Sequence, residues 1–199
     1  MGFALQKEAE KFTYGHYLSW DDGERWELID GEAYNMTPAP NTGHQLISME
    51  LAVQFKTQLK EKSCQVISAP FDVRLPLGKE REEDIENVVQ PDIVIVCDAK
   101  KLDKKGCLGA PDMIIEILSP FTARKDRKEK FFLYERVGVK EYWLVMPEEK
   151  LVEVFRLGPG GKYGRPEIYC ETDNVQVEVL NEVVIDLNAV FGSETLISK

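Results

Sequence analysis

The chain has 199 residues, 43% of them hydrophobic, enough for one domain (1–199, core about 13–191) with its own core. Its net charge of −10 lacks the basic surplus of many nucleic-acid binders, which disfavours tight non-specific DNA binding but allows a local basic patch. No run approaches the roughly 18 apolar residues of a membrane span. MGFALQKEAE has no signal core, and Gln6 breaks the myristoylation pattern, so a reducing cytoplasm is expected.

In chain order, residues 1–12 read as a helical arm, and Thr13 caps a short helix over TYGHYLSW. Trp26–Ile29 and Glu32–Met36 alternate around Asp30-Gly31, a dipeptide favoured in two-residue hairpin turns. TPAPNTG is a loop, and Asn41 or Thr42 caps a helix over His44–Lys62 with His44, Ile47, Leu51, Phe55 and Leu59 on one face. SCQVISAPFDVRLPL reads as one strand running into a second after Pro70. Gly78–Asn87 reads as a charged, mobile loop.

VVQPDIVIV and MIIEIL are short, nearly continuous apolar runs, the pattern of central strands covered on both faces. Between them AKKLDKKGCLGA is a loop. After Ser119-Pro120 comes a helix over TARKDRKEKFFLYERVG, capped by Ser119 or Thr122 and stopped by Gly138. KEYWLVMP is a further strand, LVEVFRLGPGGKYGRPEIY a hairpin, and VVIDLNAVF closes an alternating tail. Strand–helix–strand order with hairpins at both ends predicts an α/β (α+β) fold: a central mixed sheet flanked by helices. Cys64, Cys97, Cys107 and Cys170 form no metal-knuckle spacing, and Cys64 and Cys97 read as buried free thiols.

The chemistry concentrates in the two apolar strands. Asp92 and Glu116 each place a carboxylate where burial is costly without a partner, and two on neighbouring strands point to a cation. By strand parity Gln90, Asp92 and Val94 share a face, as do Ile114, Glu116 and Leu118. Asp126, Lys130 and Tyr134 are four apart on the following helix and line up. Two acids and an ammonium suit metal-assisted phosphodiester hydrolysis: the acids hold Mg²⁺, and the lysine orients the attacking water or steadies phosphoryl charge. Each residue has a plainer reading. Asp92 could cap a strand end, Glu116 could belong to a structural ion pair, and Lys130 could pair with Asp126. His44 could be a core or capping histidine, and Glu27 a hairpin ion-pair partner.

ELIDGEAYNMTPAPNTGHQ, VVQPDIVIVCD, IIEILSPFTARKDRKEKFFLYERVGVKEYWLVMP and IDLNAVF together resemble the Uma2 family (DUF820) of the PD-(D/E)XK, restriction-endonuclease-like superfamily. The resemblance spans most of residues 13–191. It implies a DNA endonuclease using Mg²⁺, with Mn²⁺ as substitute. Pro91-Asp92 matches the PD of the motif, and Glu116 its second acid. Leu118 stands where the motif's lysine belongs, and Lys130 with Tyr134 fills that place from the helix. His44, Glu27 and Gln90 match supporting positions, while Val145-Met146-Pro147 lacks the acid other members carry there.

Arg124, Lys125, Arg127 and Lys128 open the same helix and read either as phosphate contacts or as a solvated face. Lys100, Lys101, Lys104 and Lys105 form a second basic loop. GPGGKYG has the wrong spacing for a phosphate loop. The expected function is a Mg²⁺-dependent DNA endonuclease, a homodimer if both strands are cut. The alternative is an inactive nuclease-fold module that binds DNA or a protein.

Overall fold

Pro91 divides the chain's central apolar stretch. Lacking an N–H, it cannot serve a continuous ladder. In the computed structural model, which describes residues 11–36 and 39–192, β5 (Val88–Val89) and β6 (Ile93–Val96) flank it and belong to different sheets. The expected arm at 1–10 lies outside the described residues. The expectation of one strand through VVQPDIVIV is therefore corrected, and so is that of one central sheet.

The first sheet runs in space as β2 (Glu32–Asn35), β1 (Trp26–Ile29), β5, β4 (Val73–Arg74), β8 (Gly106–Leu108) and β7 (Leu102–Asp103). The second runs as β12 (Glu167–Cys170), β11 (Leu151–Arg156), β10 (Glu141–Met146), β9 (Met113–Ile117), β6 and β3 (Gln65–Ser68). Both sheets are mixed, since β4–β8 and β9–β10 pair parallel among antiparallel neighbours. β13 (Asn174–Val177) and β14 (Val183–Asp186) form a separate hairpin. The fold class is mixed α/β, as expected. Asp30 and Gly31 both have positive φ, 52° and 79°, so the β1–β2 turn is of the primed kind that Asp-Gly favours.

The second sheet carries a core on each face. On one, Ile47, Leu51 and Phe55 of α2 (Thr42–Gln58) pack on Ile93, Ile95, Met113 and Ile115, with the Phe55 and Trp143 rings edge to face. Asn41 caps α2 by accepting from the His44 N–H. On the other face Val94, Ile114 and Tyr142 meet Leu133 and Tyr134 of α4 (Phe131–Val137), together with Ile29, Val73 and Val89 of the first sheet. α4 continues a helix that begins as α3 (Ala123–Lys125), passes through a π-helical turn, Asp126–Lys130, and ends at Gly138 with φ 86°. The π turn was not foreseen; such turns are frequent at functional sites.

Two further expectations change. Gly78–Asn87 is tied down, because Ile85 is buried and buried Arg74 pairs with Glu82 and Asp103, at 2.6 and 2.7 Å. Backbone bonds from Leu75 to Asn87 and from Gly31 to Glu86 hold it as well. Cys64 and Cys97 are not free thiols but form a disulfide, because β3–β6 pairing of Gln65 with Val96 sets them side by side.

Gly106 fixes where the β7–β8 hairpin meets the chain before β4. Its φ is +129°, and a Cβ there would stand 2.1 Å from the Asp72 carbonyl oxygen, which accepts from the Cys107 N–H. Gly106→Ala is therefore expected to lower unfolding free energy by about 2 kcal/mol or more in urea titrations. Gly160→Ala, where a Cβ meets nothing within 4 Å, should change it by less than about 0.5 kcal/mol. Equal losses would contradict this packing.

Candidate functional site

The site lies where the two sheets meet, and a buried lysine joins them. Glu27 stands on β1 of the first sheet, Glu116 on β9 of the second, and Lys130 closes the π turn between them. Lys130 Nζ is 2.7 Å from Glu27 Oε1, 2.8 Å from Glu116 Oε1 and 3.6 Å from Asp126 Oδ1. The Gln90 backbone N–H donates to Glu27 Oε1, and Lys125 Nζ donates to Glu27 Oε2. Tyr134 Oη donates to Glu116 Oε1 at 2.9 Å. Glu27, Glu116, Asp126, Lys130 and Tyr134 are all buried.

The charges respond to that burial. Loss of solvent opposes ionisation of Glu27, but Lys130 and Lys125 outweigh it and hold its pKa down to about 2. At Glu116 burial and the charges of Asp126, Asp92 and Glu27 outweigh Lys130, and its pKa is pushed up to about 8. Asp126 is raised as well, chiefly by burial, and its Oδ1 accepts no hydrogen bond among the described residues. Burial opposes charge on Lys130, yet Glu116, Glu27 and Asp126 raise its pKa well above the ordinary value, so it stays an ammonium.

Asp92 precedes β6. Since Ile93 pairs with Ile115, continuing the register places Asp92 opposite Glu116. Its Oδ2 accepts from the Ile117 N–H at 2.8 Å, standing in for a ladder carbonyl, and shares a 3.2 Å hydrogen bond with His44 Nε2. Burial works against a charged His44, but Asp92 prevails and the imidazole pKa is raised. Four acids thus sit among two lysines: Glu27, Asp92, Glu116 and Asp126 against Lys125 and Lys130. The acids still outnumber the cations with His44 counted, and the raised pKa values of Glu116 and Asp126 answer that crowding by favouring their neutral forms. Among the described residues no hydrogen bond is donated to Asp92 Oδ1 or Glu116 Oε2. Those two oxygens, on acids that face each other across neighbouring strands, are open to a cation.

Among the described residues no three acids, histidines or cysteines form a ready-made metal cage. Two carboxylates with open oxygens instead fit Mg²⁺, which keeps several waters and uses one or two carboxylates rather than an all-protein cage.

Several predicted residues stand elsewhere. Gln90 does not share the Asp92 face, because Pro91 breaks the strand parity between them. Its side chain accepts from Arg25 and donates to Asp72 Oδ1 and Tyr17 Oη, and only its backbone serves Glu27. Lys125, expected on phosphates, is turned inward onto Glu27, with its ammonium 5.8 Å from the Tyr34 ring centre. Arg127 pairs with Glu153 at 2.7 Å. Arg124 and Lys128 remain exposed with no partner among the described residues. In the second basic loop Lys101 donates to the Ala110 carbonyl and Lys105 to Glu82. The sequence reading missed Lys125 as a counter-ion and Asp126 as a further buried acid beside Glu27 and Glu116. The Asp126–Lys130–Tyr134 spacing is the available signal: it lines the three up toward the acids, with an ordinary i,i+4 pair as the alternative, and assigns Asp126 no role of its own.

Removing the shared ammonium leaves Glu27 and Glu116 buried against each other. Lys130→Met is expected to cost about 3–5 kcal/mol of unfolding free energy, measured in urea at neutral pH with chelator present. Glu27→Gln added to Lys130→Met should recover part of that loss. A loss below about 1 kcal/mol would show that the ammonium does not join the two sheets.

The profile of the Uma2 family, described as "Putative restriction endonuclease", matches residues 14–188. A curated relative, the uncharacterized protein slr1290 of Synechocystis sp., is 24% identical over 156 residues, covering 77% of this chain and 78% of that one. A solved DUF820 protein of Anabaena variabilis ATCC 29413, described as a "putative nuclease", superposes with a TM-score of 0.72. It is 19% identical and covers 92% of this chain and 98% of its own, which shows a shared fold. The chain belongs to the Uma2 family.

Proposed function

We propose that this protein is a Mg²⁺-dependent endonuclease that hydrolyses DNA phosphodiester bonds. One observation supports this above the others: the buried acids Glu27, Glu116 and Asp126 gather on Lys130 with half-buried Asp92 across the strand from Glu116, and Asp92 and Glu116 each keep one oxygen free. Asp92 and Glu116 would hold the Mg²⁺, or Mn²⁺ in its place. When bound, such an ion supplies positive charge for the phosphate oxygens and acidifies water.

The protein's own groups do the rest. His44 and the Ile117 N–H fix Asp92 through Oδ2, which leaves Oδ1 without a protein donor among the described residues. Tyr134 and Lys130 fix Glu116 through Oε1 in the same way. Glu27 anchors Lys130 from the far side, so the ammonium is held at two points before substrate arrives. A lysine that stays protonated cannot serve as the base; it orients the attacking water and steadies charge on the phosphoryl oxygens. Cutting both strands of a duplex takes two such sites, hence a homodimer. We place the reaction in the cytoplasm, where DNA is accessible. Among the described residues no helix is long and apolar enough to cross a membrane.

A second reading, an inactive nuclease-fold module, draws on the protein partners that already occupy Asp92 Oδ2 and Glu116 Oε1. Nicking of supercoiled plasmid separates the two. With Mg²⁺, wild type should cut, and Asp92→Asn and Glu116→Gln should each lose at least about 1000-fold, the loss of several kcal/mol of charge stabilisation. Lys130→Met should lose about 100-fold or more. Activity that survives both acid substitutions would reject the site, and no cutting together with no metal binding would favour the inactive module.

A further inference from the structure

The helix that carries Lys130 inward has a second, outward face. Of its first five cations, Lys125, Arg127 and Lys130 are paired to Glu27, Glu153 and Glu116. Arg124 and Lys128 are exposed and unpaired among the described residues, on a chain where 35 acids face 25 basic residues. Counter-ions are abundant on this surface, so two neighbouring cations left without them mark a place for an outside anion.

Two large aromatic side chains flank this pair. Phe121 is 76% exposed and Phe132 59% exposed. Arg124, Lys128 and Phe132 follow one another in steps of four that the wider π turn suits, and Phe121 stands in the turn that leads into the helix. Phe121 does not sit on a loose tip. The Ser119 and Thr122 hydroxyls bond each other, and the Ser119 carbonyl accepts from the N–H groups of Thr122 and Ala123. This turn begins at Ser119, just past the end of β9, the strand that carries Glu116.

We infer that Phe121, with Arg124 and Lys128, forms a platform on which an unpaired base of the DNA stacks while its flanking phosphates meet the two cations. This rests on the nuclease reading for its location, and it extends that reading to a substrate class. A flat ring exposed beside cations is the arrangement that binds single strands, because stacking needs an accessible base face. Within an intact duplex those faces are covered by neighbouring bases. The preferred substrate is therefore a single strand, a frayed end or a flap, with Phe132 as a further platform along the same stripe.

The test is binding, kept apart from cleavage. Fluorescence anisotropy of a labelled oligothymidylate and of a blunt duplex of equal length is measured with Glu116→Gln protein in chelator. The single strand should bind at least about 5-fold tighter than the duplex, and Phe121→Ala should weaken it by about 5- to 150-fold. Phe121→Trp should retain binding, with its indole fluorescence quenched by the strand. Arg124→Gln with Lys128→Gln should lower the salt slope by about 1.4, at about 0.7 per phosphate contact. Equal or tighter duplex binding, an unchanged Phe121→Ala affinity, or a tryptophan that the strand does not quench would overturn the inference. Strand binding by a wild-type protein that cuts neither plasmid nor single strand with Mg²⁺ would sink the nuclease reading alone, and cutting with unaltered Phe121→Ala binding would sink the platform alone.

Discussion

The structure depends on a buried lysine shared by acids from two sheets. Lys130 sits within 2.8 Å of both Glu27 and Glu116, one from each sheet. An isolated charge in that setting would be prohibitive, and the ammonium is retained because carboxylates meet it from two directions. Yet the compensation overshoots. With Asp126 and Asp92 added, acids outnumber lysines, and burial first, then the neighbouring acids, raise the carboxyl pKa values of Glu116 and Asp126. A fold that only needed a buried ion pair would not gather two acids more than it has lysines, whereas a site that takes up a cation would.

Pro91 makes this arrangement possible. By ending β5 and starting β6 in another sheet, it puts Gln90 and Asp92 on either side of a junction. The Gln90 backbone then serves Glu27, while Asp92 serves Ile117 and His44. The π turn has a matching effect from the helix side, since it opens and closes on the buried residues Asp126 and Lys130. Breaks in regular structure, one in the strands and one in the helix, aim the side chains inward.

Much of this was legible in the sequence. An acid inside MIIEIL, a second beside IVIV and the spacing from Lys130 to Tyr134 already named residues that now meet around Glu116. The α2 face and the Asp-Gly hairpin follow from periodicity and turn chemistry that act locally. The division into two sheets was hidden because β4, β5 and β7 are two residues long, too short to show alternation. Lys125 was misread because a cation in a basic run looks solvated until a partner 98 residues away is known. The disulfide was missed because neither cysteine carries a spacing signal. Only strand register shows that Cys64 and Cys97 are neighbours. Charge in Gly78–Asn87 suggested mobility, while buried Arg74 was the unseen reason for its order.

Calorimetric titration with Mg²⁺ tests the central claim most directly, because it reads the surplus of buried negative charge without requiring catalysis. The account predicts one ion bound per wild-type chain and none by the Glu116→Gln protein. Heat of binding that is absent from wild type, or identical in the two proteins, would contradict it.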